Sequence, residues 1–186
     1  MSVLSVYDAE TVKVKNSLTR HEDIAATLAS AGVKFERWQA TQALSVEATG
    51  DDILSAYQND VERLKAEYGF QSADVVSLHP EHPDRAAFRA KFLDEHTHSD
   101  FEVRFFVDGR GLFFIHIENH VYAVLCEKGD LISVPAQTKH WFDMGARPDF
   151  KCIRLFTSPE GWVADLTGDE IAKRFPTFED FVAVAR

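Results

Sequence analysis

Glu95-His96-Thr97-His98-Ser99-Asp100-Phe101-Glu102-Val103-Arg104 marks a change in the character of the chain. From here on come short runs rich in Val, Ile and Phe: FEVRFFV (101–107), GLFFIHI (111–117), VYAVLC (121–126), LISVPA (131–136) and FKCIRLFT (150–157). Turn signals lie between them at Asp108-Gly109, Glu118-Asn119, Lys128-Gly129-Asp130 and Arg147-Pro148-Asp149. Several short strands at regular spacing predict an antiparallel sandwich or barrel.

The same stretch carries the chemistry. In a strand, residues two apart point to one face, so His96 and His98 present two imidazoles to the same side. Ser99-Asp100 can turn the chain, and Glu102 then returns on the next strand with Arg104 on its own face. Two neutral imidazoles and a carboxylate suit Fe, Ni, Zn or Mn. His140 follows LISVPA after a short loop, where a barrel can bring it alongside. Three histidines and a carboxylate leave two positions open on a six-coordinate metal. His96-x-His98-x-Asp100 also begins like a metallo-β-lactamase signature, but that pattern needs His next and this chain has Phe101. Single histidines are usually exposed or hydrogen-bonded, the reading for His21, His79, His82 and His120; His116, alternating with Phe114, is a candidate for burial.

Upstream, the chain reads as mixed. Residues 20–31 follow a helical pattern with Gly32 as a C-terminal cap, and VKFERWQA (33–40) alternates like a strand. Asp51 and Asp52 open one helix whose stripe is Ile53, Leu54, Tyr57, Val61, Leu64 and Tyr68, ended by Gly69. DVVSL (74–78) is a short strand, and Pro83 starts a helix carrying Phe88 and Phe92. Downstream, Thr167 is placed to cap a helix through Phe175, broken by Pro176, and FEDFVAV (178–184) forms a last helix. With no repeat, low-complexity tract or linker, residues 1–186 are expected to form one domain, its helices packed on the barrel.

Composition excludes several partners. Asp and Glu outnumber Lys and Arg by 30 to 20, a net charge of −10. That balance disfavours nucleic acid, whose phosphates need a basic face, and an anionic membrane surface. No apolar run approaches the roughly 18 residues of a spanning helix. The N-terminal MSVLSVYDAETVKV lacks the layout of a signal peptide, so the cytoplasm is expected. Cys126 and Cys152 sit in apolar runs and read as reduced core thiols.

These motifs resemble a known family. His96-x-His98, Glu102 and Gly109 match the first cupin motif from its histidines onward, although Ala90 replaces its leading glycine. Gly129, Pro135 and His140 match the second, with Gln137 and Met144 where Gly and Asn are usual. A narrower match is stronger. EHTHSDFEVRFFVDGRGLF (95–113), LCEKGDLISVPAQTKHWFDMG (125–145), FTSPEGWVADLTGD (156–169) and VKFERWQA resemble the acireductone dioxygenases of methionine salvage. The resemblance implies a mainly β fold with flanking helices, the cupin (double-stranded β-helix, jelly-roll) barrel.

It implies one Fe(II) or Ni(II) held by His96, His98, Glu102 and His140. The implied substrates are O2 and an acireductone, 1,2-dihydroxy-3-oxo-5-(methylthio)pentene. The iron form is expected to yield 4-methylthio-2-oxobutanoate and formate. The nickel form is expected to yield methylthiopropionate, formate and carbon monoxide. Arg104 and Arg154 become substrate-facing arginines; a structural salt bridge to an acidic neighbour is an equal reading for Arg154 and a weaker one for Arg104. Phe92, Phe142 and Trp162 would wall the pocket, or simply fill the core. Glu95 and Ser99 would orient the histidines. A monomer is expected. A cupin isomerase or epimerase, and a non-catalytic small-molecule-binding cupin, are the alternatives on the same barrel.

Overall fold

This computed structural model describes residues 1–45, 47–158 and 163–185. Along the chain run β1 (Val3–Asp8), β2 (Val14–Leu18), α1 (His21–Ser30), β3 (Lys34–Arg37), α2 (Gly50–Ala56), α3 (Gln58–Tyr68), β4 (Ser72–Leu78) and α4 (Arg85–Leu93). Then follow β5 (His96–Thr97), β6 (Glu102–Ile117), β7 (His120–Glu127), β8 (Asp130–Val134), β9 (Lys139–Asp143), β10 (Phe150–Phe156), β11 (Asp165–Leu166), a 3-10 turn (Ile171–Arg174) and α5 (Phe178–Val184).

The long strand β6 belongs to two sheets. Its first half pairs with β8 and β10, which continue to β3 and β4. Its second half pairs with β7 and β9, which continue to β1, β2, β5 and β11. Every one of these pairings is antiparallel, the two-sheet architecture of a jelly roll.

The turn expected at Asp108-Gly109 is instead a corner inside one strand. The register with β10 shifts between Lys151 and Cys152, the signature of a bulge. Gly109 has φ +68° and passes so close to Asp149 that a Cβ would lie 1.9 Å from its carbonyl oxygen. Only glycine fits there, so a turn-like dipeptide serves as a sheet-to-sheet bend. The extra residue also flips the side-chain parity. Before the bulge Phe106 joins the inner core, and after it Phe113 and Ile115 do. Of the other three turn signals, Glu118-Asn119 (Glu118 φ 53°) reverses the chain from β6 to β7, whereas at Lys128-Gly129-Asp130 (Gly129 φ 95°) and Arg147-Pro148-Asp149 the chain bends from one sheet to the other and runs on in the same sense beside β6.

Three apolar layers follow. The barrel interior packs Phe106, Phe113, Ile132, Phe142 and Phe150 together with the buried free cysteines Cys126 and Cys152. Burial pushes the Cys152 thiol up to about 12 and Cys126 well above its usual range, so both are inert neutral thiols. On one outer face Leu112, Phe114 and Trp141 pack under Ile171, Phe175 and Phe181. On the other, Val103, Phe105, Ile153 and Leu155 pack under Ile53, Tyr57, Val61 and Leu64.

Two expected helices differ. The stripe from Ile53 to Tyr68 is carried by α2 and α3, not by one helix. Tyr57 breaks them at φ −108°, ψ 19°, its ring buried edge-on against Phe105 at 5.5 Å. Packing of that ring overrides the local helical preference while the buried stripe continues. The helix expected from Thr167 to Phe175 is only the 3-10 turn: the Thr167 hydroxyl donates to Glu95 and accepts from the Asp169 N–H at 3.2 Å, and the Asp169 carboxylate accepts from the Ile171 N–H at 2.9 Å, so tight side-chain turns occupy 167–171 before the 3-10 turn begins. Strands β1, β2, β9 and β11 were not anticipated. Among the described residues no helix is long and apolar enough to cross a membrane.

Candidate metal centre

The strand pairings bring the sequence-distant groups together. β5 lies beside β9 with His96 opposite His140, and β9 lies beside β6 with His140 opposite Ile115. Glu102 opens β6, and His98 stands in the short connection after β5. Asp100 ties that connection to the end of β10, its carboxylate accepting from the Thr157 backbone N–H (2.8 Å) and hydroxyl (2.6 Å).

One potential ligand atom from each of His96, His98, Glu102 and His140 falls in a group with all members within 4.8 Å of one another. All four residues are buried, at most 5 % exposed. Glu102 Oε2 lies 2.5 Å from His140 Nε2 and 3.4 Å from His98 Nε2. Ligands at right angles on one ion with bonds of about 2.1 Å stand about 3 Å apart, so this spacing fits a single divalent cation. The outer nitrogens are all occupied by backbone carbonyls. His96 Nδ1 donates to Asp94 O (2.7 Å), His98 Nδ1 to Val163 O (2.9 Å) and His140 Nδ1 to Thr138 O (2.7 Å). A carbonyl only accepts, so each Nδ1 carries a hydrogen and Nε2 is the nitrogen that faces the centre, where a cation would take the place of any proton shared with Glu102.

The electrostatics suit a cation. Burial opposes the charge on Glu102, but Arg104, His140 and His98 outweigh it and hold the carboxyl well below its usual range. Burial, reinforced by the neighbouring His140, lowers His96 to about 4 and keeps it neutral. Burial also opposes a charge on His98, yet its contact with Glu102 wins and raises its pKa.

Arg104 is 1 % exposed and donates from Nε to Glu102 Oε1 at 2.6 Å, which leaves Oε2 turned to the histidines. Its guanidinium lies over the rings of Phe142 (4.6 Å), Phe113 (5.3 Å) and Phe92 (5.4 Å). Phe142 comes from β9 inside the barrel and Phe92 from α4. Arg154 stands opposite Arg104 in the ladder and, on its other side, opposite Asp74, to which its Nε donates at 2.6 Å. It is part-buried, so the salt bridge considered for this residue is present.

Ser99 is exposed in the β5–β6 connection. Glu95 is buried with its carboxylate directed to His116 Nδ1 (2.6 Å) and Thr167 Oγ1 (2.9 Å). Trp162 lies outside the described residues. The three carbonyls that fix the imidazoles had no signal in the sequence, because a backbone oxygen is present at every position. Asp74 could have been found, since an acid on an apolar strand asks for a cationic neighbour.

A buried donor set of three histidines and one carboxylate, inside a two-sheet antiparallel barrel, defines a metal-binding cupin. Residues 4–164 match the model of the ARD/ARD′ family, and the chain belongs to that family. It is 57% identical over 182 residues to the acireductone dioxygenase of Methylococcus capsulatus, covering 98% of each chain. It is 58% identical over 181 residues to that of Pseudomonas aeruginosa, covering 97% of this chain and all of the relative. Among solved structures, it is similar to an acireductone dioxygenase from Bacillus anthracis with a cadmium ion in its active center. That match has a TM-score of 0.77 and 28% identity, and covers 88% of this chain and 97% of the other.

Proposed function

We propose that this chain is an acireductone dioxygenase whose resident metal is Fe(II) or Ni(II), held by His96, His98, Glu102 and His140. The observation that carries the reading is the convergence of imidazole Nε2 atoms on one carboxylate, in a family whose curated relatives bear this name. When bound, the metal supplies Lewis acidity for the deprotonated enediol oxygens of the substrate and brings them within reach of O2.

The protein residues do the remainder. Arg104 secures Glu102 and adds positive potential beside the place a dianion would occupy. Arg154 takes the other side of that anion, with Asp74 holding its guanidinium in plane. Phe92 and Phe142 wall the pocket and limit the access of water to the substrate. The proposed products are 4-methylthio-2-oxobutanoate and formate with iron, and methylthiopropionate, formate and carbon monoxide with nickel. Two buried free cysteines favour the reducing cytoplasm as its compartment.

The test is oxygen uptake by metal-loaded protein given the methylthio acireductone. Uptake is expected with either metal. It is expected to vanish, together with most bound metal, in His96→Ala, His98→Ala and His140→Ala. No substrate-dependent uptake by fully loaded wild type would overturn the assignment. Full metal content in one variant would remove that histidine from the ligand set.

A further inference from the structure

Glu95 has no place in the chemistry above, yet it is among the most costly side chains in the protein to bury. Its side chain is 0% exposed, and an isolated buried carboxylate is strongly unfavourable. Burial opposes its charge, but bonds to His116 and Thr167 more than compensate and lower its pKa. The partners come from three places: His116 from the end of β6, Lys139 Nζ at 4.0 Å from the start of β9, and Thr167 from just beyond β11.

The segment around β11 needs such an anchor. Residues 163–170 are all exposed, Val163 by 72% and Leu166 by 65%, so apolar burial scarcely holds them. Their attachment is polar. Asp165 and Leu166 pair with Thr97 and His96. Thr167 N donates to Glu95 O at 3.0 Å, and Thr167 Oγ1 donates to the Glu95 carboxylate at 2.9 Å. At the head of this segment sits the Val163 carbonyl, the acceptor for His98 Nδ1 at 2.9 Å. His96 and His140 take their carbonyls from residues two positions before themselves. His98 alone among the three depends on a carbonyl 65 residues away.

We infer that Glu95, His116 and Thr167 form a latch that seats the 163–167 segment on β5, so that the Val163 carbonyl holds His98 in its metal-binding tautomer. They are positioning residues, and the inference rests on reading His98 as a ligand. A partner that fixes a ligating imidazole is commonly worth 10–100-fold in metal affinity. Glu95, Thr167 and His116 therefore control the centre through a backbone oxygen rather than by touching it.

The decisive variant is Thr167→Val, nearly isosteric and at an exposed position, with Thr167→Ser to restore the hydroxyl. Three quantities are read on the full chain. They are amide exchange at 165–167, Ni(II) affinity by competition with a chelator, and ring-nitrogen chemical shifts of His96 and His98 in metal-free protein at alkaline pH, where both rings are neutral. Thr167→Val is expected to speed exchange in the segment and to weaken Ni(II) binding by about 10–100-fold. It should mix the His98 tautomers while leaving His96 unchanged. Thr167→Ser should return all three. Faster exchange with unchanged Ni(II) affinity and an unchanged His98 tautomer would overturn the latch. So would weaker Ni(II) binding without loosening of the segment. His98→Ala is the reference: undiminished Ni(II) affinity there would refute the ligand reading itself, and the latch with it.

Discussion

Arg104→Met separates a charge from its surroundings at a single buried point. Arg104 and Glu102 are 1 % and 2 % exposed and 2.6 Å apart, so no solvent screens either. Methionine keeps much of the arginine's apolar contact with Phe142, Phe113 and Phe92 while removing the cation. Breaking one side of a buried ion pair costs about 3–5 kcal/mol, because the surviving charge loses its foremost partner, here leaving Glu102 only His140 and His98. For a chain of this length that lowers the melting temperature by roughly 6–20 °C. Burial already pushes Glu102 toward protonation and Arg104 is the foremost group opposing it, so the carboxyl pKa rises in the variant. The sign follows. At pH 7 the variant carries the full penalty, and it regains stability relative to wild type as acid neutralises Glu102. The assay is urea unfolding of metal-free protein, which keeps metal linkage out of the comparison. Adding Glu102→Gln removes the surviving charge, and the double variant should recover most of the loss. A loss below about 1 kcal/mol, or a double variant no more stable than Arg104→Met, would refute the reasoning.

Three further outcomes are expected. Gly109→Ala should destabilise by more than about 2 kcal/mol, because its Cβ meets unyielding backbone at Asp149 and Phe150. Gly69→Ala, with similar φ and open space, should cost only about 1 kcal/mol by thermal melting. Ni(II) affinity should fall about tenfold or more per pH unit below pH 6.5, since binding must displace at least the proton that Glu102 favours on His98. His96, neutral down to about 4, releases no proton above that value, and a pH-independent affinity between 5 and 6.5 would contradict this account. Reloading metal-free protein with Fe(II) or Ni(II) should give keto acid without carbon monoxide from iron and carbon monoxide from nickel, and identical product ratios would mean that the pocket enforces one outcome.

Much of this protein could be read from local pattern. The β-rich second half, α1, α4 and α5, and the grouping of His96, His98 and Glu102 all follow from spacing that a short window contains. Periodicity works because a strand or helix face is repeated every two or 3.6 residues wherever the element later packs. Membership of a family with a cupin barrel was equally legible in EHTHSDFEVR and KHWFD. Neighbouring side chains could not be read this way. Asp108-Gly109 has the composition of a turn, and only contact with Asp149 makes it a corner of β6. Tyr57 belongs to a helical stripe, and only burial against Phe105 breaks that helix. Glu95 adjoins His96 in sequence, but alternation sends its carboxylate to His116 and Thr167. The carbonyls of Asp94, Thr138 and Val163, which set the histidine tautomers, are unmarked in any sequence. Residue types and their period were therefore determined by the sequence alone. Which groups share a buried, unscreened contact was decided by the tertiary structure, because such contacts join residues that no local window holds together.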